Sequence, residues 1–147
     1  MLIRMLAATV AGAIAFLVLG TIIFGMLLGP NLMQQYISPD AAKLMNEMPV
    51  WLPLIVGNLV LAFLLAYIFD RWATIHTFVG GMKGGALILL LLDVYFQMMF
   101  LAFMKMHTSY IPVIADIIGT TVMGALAGGV IGLVLGMMNK TAAGSID

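Results

Sequence analysis

A chain of 147 residues in which 64% are hydrophobic and 8% charged, with a mean hydropathy of +1.19, lies far from a water-soluble domain, whose charged share is about 25%. Six basic and six acidic residues cancel, which excludes the basic surface of a nucleic-acid binder and the acidic tail that would attract a cationic partner. The absence of cysteine excludes disulfides, iron–sulfur clusters, thiolate metal sites and cysteine nucleophiles. What remains is an all-helical integral membrane protein of one domain, whose first partner is the lipid bilayer.

The first apolar run follows Arg4 and continues to Leu28, too long for the apolar region of a signal peptide, so it reads as a retained first transmembrane helix over 2–28. Gly29-Pro30 should stop it. Ala8 and Gly12, with Thr21, Gly25 and Gly29 at spacing four, are candidates to pack against the last helix. Residues 31–50 turn polar. There Ser38-Pro39-Asp40 starts a helix well, with a hydroxyl at the N-cap, proline at the first helical position and an acid at the positive end. Ala42, Met45 and Met48 then share a face, which predicts a short amphipathic helix at the membrane surface, ended before Pro49.

The second helix covers 51–69, from the interfacial anchor Trp51 to the pair Asp70-Arg71 at the other boundary. The third covers 79–105 and opens on Gly80-Gly81 and Gly84-Gly85; the fourth covers 111–138 and leaves a polar tail, 139–147. From Asp116 onward every fourth residue of the fourth helix is small or polar: Asp116, Thr120, Gly124, Gly128, Gly132 and Gly136. Such a stripe lets a neighbouring backbone approach closely, which membrane helices exploit because van der Waals packing drives their association. Four crossings put both termini on one side. Arg4, Arg71, Lys83 and Lys140 on that side outnumber Lys43 and Lys105 on the other, which points to cytoplasmic termini.

Ionisable groups in hydrocarbon are costly and mark function or paired structure. Asp93 lies in the middle of the third helix with Gln97 one turn on; Asp116 and Thr120 lie one and two turns into the fourth, and Asn58 two turns into the second. At 1.5 Å per residue Asn58, Gln97 and Asp116 fall within roughly 8–13 Å of the outer boundary with Asp93 somewhat deeper, so that together with Thr120 they can form one polar cluster. It would serve either as interhelical glue or as a proton- or cation-exchanging site. Met104, Met106 and His107 offer thioether and imidazole ligands suited to Cu(I), a weaker alternative to no metal at all, since methionine is also an ordinary apolar filler. His76 and His107 sit at opposite ends of the third helix and cannot share one haem; no phosphate-cradling loop and no Ser–His–Asp or His–Glu arrangement is visible. No enzyme activity and no cofactor is expected.

The stretches WLPLIVGNLVLAFLLAYIFDRWATI (51–75), LLLLDVYFQMMF (89–100) and VIADIIGTTVMGALAGGVIGLVLG (113–136) together resemble a family of small bacterial four-helix membrane proteins of unknown function. The resemblance implies the bacterial inner (cytoplasmic) membrane and four spans, and brings no activity or site residues. The signature residues of fluoride channels, small multidrug exporters and glutathione-handling membrane enzymes are missing. The leading expectation is a non-catalytic structural or accessory subunit, joined through Gly12, Gly25, Gly29, Gly124, Gly128, Gly132 and Gly136 to further copies or to a larger membrane complex. The alternative is a small oligomeric transporter or channel that uses Asp93 and Asp116.

Overall fold

In the computed structural model, which describes residues 2–46, 48–104 and 107–143, the chain is all-helical. Its elements are α1 (Leu2–Gly20) continued by a π-helix (Thr21–Met33) and a short 3₁₀ turn (Gln34–Tyr36); α2 (Pro39–Ala42); α3 (Trp51–Tyr67) continued by a second π-helix (Ile68–Trp72); α4 (Phe78–Phe103); and α5 (Ile111–Ala143). Four of these helices are long and apolar enough to cross a membrane. Their outward side chains, Ile14, Val60, Leu87 and Ile118 among them, are large and apolar, the reverse of what water selects.

Pro30 does not end the first helix. The winding loosens into π form from Thr21 and runs through the proline to Met33, with Gln34 N–H donating to the Gly29 carbonyl five residues back. Side chains support the loosened ladder: the Thr21 hydroxyl donates to the Leu17 carbonyl at 2.8 Å and the Asn31 amide to the Leu27 carbonyl at 3.0 Å. In a π-helix residues four apart no longer share one face, which is why the Thr21–Gly25–Gly29 series does not form the expected packing stripe. Gly25 is exposed with only its own Thr21 beside it, and Gly29 abuts the carbonyl of its own Phe24.

The predicted surface helix shrinks to one turn. Ser38 caps it as expected, its hydroxyl accepting from Ala41 N–H at 3.3 Å, and Lys43 pairs with Asp40. No residue of the turn is buried, and Met45 and Met48 stay exposed; with no packing, so short a helix does not propagate. Glu47, Lys105 and Met106 lie outside the described residues.

Helix α4 packs along α5, α5 along α1, and α1 along α3; α3 meets α5 only marginally. The core is built from Ala8, Ala13 and Phe16 of α1, Ala62, Leu65, Ala66 and Phe69 of the α3 unit, Leu89 of α4, and Ala127, Ile131 and Leu135 of α5. Gly12 has no room for a side chain: an added Cβ would meet Ile131 at 2.5 Å and Ala62 at 3.2 Å, so here the expected contact between the first and last helices is found. This core lies toward the end that carries the termini. There Phe69 closes the bundle by lying over Gly84 of α4, and Thr74, at φ 49°, makes the left-handed turn that ends the second π-helix, closed by Ile75 N–H on the Phe69 carbonyl at 2.9 Å. At the opposite end none of residues 51–60 of α3 is buried, and the bundle is open there.

Candidate functional site

The glycines of α4 and α5 fix the register of everything further along these two antiparallel helices. A Cβ at Gly81 would lie 2.1 Å from the Gly128 carbonyl oxygen, one at Gly85 2.1 Å from that of Gly124, and one at Gly132 2.5 Å from that of Thr77. Backbone thus touches backbone at each four-residue step. Continuing in the same steps past Gly85 and Gly124 places Leu89 opposite Thr120, then Asp93 opposite Asp116. Two carboxyl groups face each other because two glycine series, one per helix, hold them there.

The side chains agree with that register. Asp93 is at interaction distance from both Asp116 and Gln97. The Gln97 amide donates to Asp116 Oδ2. Asp93 Oδ2 is buried and accepts no hydrogen bond. Along the helices, Asp93 lies about 15 Å and Gln97 about 9 Å from the last residue of α4, and Asp116 about 8 Å from the first residue of α5. Among the described residues no Lys or Arg forms an ion pair with either carboxylate. A cavity of about 160 Å³ adjoins Asp116, lined by Met33, Gln97, Phe100, His107, Pro112 and Asp116 itself.

Of the five polar residues expected to gather, Asp93, Gln97 and Asp116 do so, and Thr120 sits half-buried one turn beyond Asp116. Asn58 does not join them. Its helix packs on α1, across the bundle from α4, and its amide donates instead to the Leu54 carbonyl at 2.7 Å. Of the candidate copper ligands, Met104 is exposed, His107 faces the cavity and Met106 lies outside the described residues. No group of three or more His, Asp or Glu side chains able to hold a metal ion occurs among the described residues.

A second polar site, not foreseen from the sequence, lies at the end with the termini. The Asp70 carboxylate is fully buried and takes the Arg4 guanidinium at 3.0 Å on Oδ1 and 3.2 Å on Oδ2, with His76 Nε2 3.3 Å from Oδ1. The other Arg4 nitrogen, Nη1, donates to the Asn139 side chain, while Arg4 Nε is buried without a partner. Four elements therefore meet around the Arg4–Asp70 pair: the start of α1, the end of the α3 unit, the connection before α4 and the last turns of α5, the last of these through Arg4. Asn139 belongs to a helix that runs on to Ala143, where a polar tail was expected. In the sequence Asp70 sits beside Arg71, which suggests a local interfacial pair; its partner is instead 66 residues away.

Compared with protein-family models, curated proteins and solved structures, the chain gives no match.

Proposed function

We propose that this chain is a multi-pass protein of the bacterial cytoplasmic membrane, with both termini in the cytoplasm, and that it acts as a small proton- or cation-coupled transporter or channel with Asp93 and Asp116 as its exchange site. One observation carries the reading: the glycine-fixed register opposes two carboxyl groups at membrane depth and, among the described residues, no Lys or Arg pairs with them. An ionised carboxylate near the middle of a bilayer costs about 2.5–3.5 kcal/mol on insertion scales, and two facing one another repel as well. A pair retained there needs a proton or a small cation to neutralise it, and a site that binds such an ion reversibly can exchange it. The unpaired Asp93 Oδ2 is the acceptor left open for that ion, and the cavity gives Asp116, and through it the pair, a route toward the non-cytoplasmic end.

The test uses the full chain in liposomes loaded with a pH-sensitive dye, with proton influx driven by an imposed potential. Wild-type protein should acidify the lumen faster than empty vesicles do. Asp93→Asn and Asp116→Asn should lower that rate at least tenfold while leaving the helical content and oligomeric state unchanged. Wild-type influx no faster than in empty vesicles, for protons and for sodium or potassium alike, would sink the proposal.

The accessory-subunit reading keeps one specific support, the outer half of α3. Trp51, Leu52 and Val60 there are more than 60% exposed, and a Cβ at Gly57 would meet nothing within 4 Å. Such a face suits another helix, whereas the stripe Gly124, Gly128, Gly132 and Gly136 is already filled from within the chain by Gly85, Gly81, Thr77 and His76. Native mass spectrometry of protein extracted mildly from its own membrane separates the two readings. A stoichiometric complex with other chains favours an accessory role; a homo-oligomer favours transport.

A further inference from the structure

The cavity beside Asp116 is lined by an imidazole whose residue is held by its backbone. His107 forms an isolated antiparallel bridge with Ile37, and its neighbour Thr108 donates to the Tyr36 carbonyl from both N–H, at 2.8 Å, and hydroxyl, at 3.2 Å. A residue in the α4–α5 turn would otherwise swing freely. Pinned to the 36–37 segment, it is held as part of the lining, together with Gln97 and Asp116. The volume, about 160 Å³, admits several waters at the ~10–15 Å³ each requires, and Gln97, His107 and Asp116 supply the polar partners that keep such water ordered.

We infer that His107 relays protons between the aqueous phase at this end of the molecule and Asp116, through water in the cavity. The inference rests on the reading of Asp93 and Asp116 as an exchange site and names its entrance. Imidazole suits the role because it accepts a proton on one ring nitrogen and releases one from the other. In the inward step the imidazolium gives a ring proton to the water chain, the chain delivers a proton to Asp116, whose carboxylate becomes a carboxylic acid, and neutral His107 is recharged from bulk water. Among the described residues the titratable groups on the elements around it are Asp116 on α5, Asp93 on α4 behind it, Tyr36 on the bridged segment and the exposed Tyr110 of the same turn. Met33 and Phe100 wall the cavity with apolar surface, which confines the water chain to the polar side.

The test is a pH jump on the full chain reconstituted in liposomes, followed by the infrared carboxylic-acid C=O band that Asp116→Asn removes. His107→Phe should slow the appearance of that band at least tenfold and leave its final amplitude unchanged, and imidazole added to the buffer should restore the rate. His107→Gln, which keeps a polar side chain of similar size, should be slowed to the same degree and rescued in the same way. An unchanged rate in both variants overturns the relay, as does a slowed rate that imidazole fails to restore, because a structural role would not respond to a soluble base. If wild-type protein shows no Asp116 band at any pH, the exchange reading itself fails and the relay fails with it; a normal wild-type band with unaffected variants removes the relay alone.

Discussion

Gly85→Leu is expected to separate α4 from α5 and to abolish both the fold of that half and any function of the carboxylate pair. The Cβ alone would sit 2.1 Å from the Gly124 carbonyl oxygen and 2.9 Å from the Gly128 Cα, so the atoms that must yield are backbone atoms of a packed helix rather than the end of a flexible side chain. Overpacking in ordinary cores costs about 1–3 kcal/mol, where side chains can rearrange; with backbone on both sides the cost should exceed about 3 kcal/mol. Gly128→Leu should behave alike, since a Cβ there would meet the Gly81 carbonyl oxygen at 2.5 Å. Gly57→Leu is the control, because nothing lies within 4 Å of it. Unfolding in mixed detergent and denaturing detergent, followed by circular dichroism, measures all three. Equal midpoints for Gly85→Leu and Gly57→Leu would show that α4 and α5 do not approach so closely.

The second large effect is expected at Asp70. Its side chain has no exposed surface and holds Arg4, itself three-quarters buried, so Asp70→Ala strands a guanidinium that already has one nitrogen without a partner. Removing one member of a buried ion pair typically costs 3–5 kcal/mol, because the remaining charge keeps its desolvation penalty and loses its compensation. The double variant Arg4→Leu/Asp70→Leu should be markedly more stable than Asp70→Ala, since neither charge is then left buried. A double-mutant cycle on the same unfolding assay isolates the coupling. A single-variant cost below about 1 kcal/mol would place the pair among solvent-screened surface bridges, whose worth is of that order. Arg4, Asp70, His76 and Asn139 tie α1, α3 and α5 together at the end with the termini, so the loss should also weaken the docking of α1. Increased proteolysis near the N-terminus would report it.

The two sites differ in a way that bears on function. At Asp70 every charge has an opposite charge beside it, and the bundle closes around the group with Phe69 over Gly84. At Asp93 and Asp116 charge of one sign is opposed, the Gln97 amide that donates to Asp116 is neutral, and a cavity lies alongside Asp116. The first arrangement is what holds helices; the second is what an exchanging ion would need. This contrast favours the carboxylate pair as the proposed exchange site and suits the ion cluster to a structural role.

Composition and hydropathy by themselves point to the class: four long helices whose outward faces are apolar are what a bilayer rewards and water does not. The spans over 51–69, 79–105 and 111–138 follow from run length and interfacial residues, and the observed helices begin within one residue of each. The four-residue stripe from Asp116 to Gly136 was legible as a packing face. A second stripe that completes it, Gly81, Gly85, Leu89, Asp93 and Gln97, was also in the sequence at the same spacing. What no single helix could show was that the two stripes meet in a register opposing Asp93 to Asp116, since pairing of antiparallel helices is set by which backbones can approach most closely. Asn58 shows the same limit from the other side: its depth suited the cluster, but depth does not say which neighbour a helix chooses, and α3 packs on α1. The π winding after Gly20 and the Arg4–Asp70 pair were decided only by tertiary structure. The first depends on side chains taking over backbone hydrogen bonds past a proline, and the second joins residues that lie 66 positions apart in the chain and in contact only once α1 and α3 have packed.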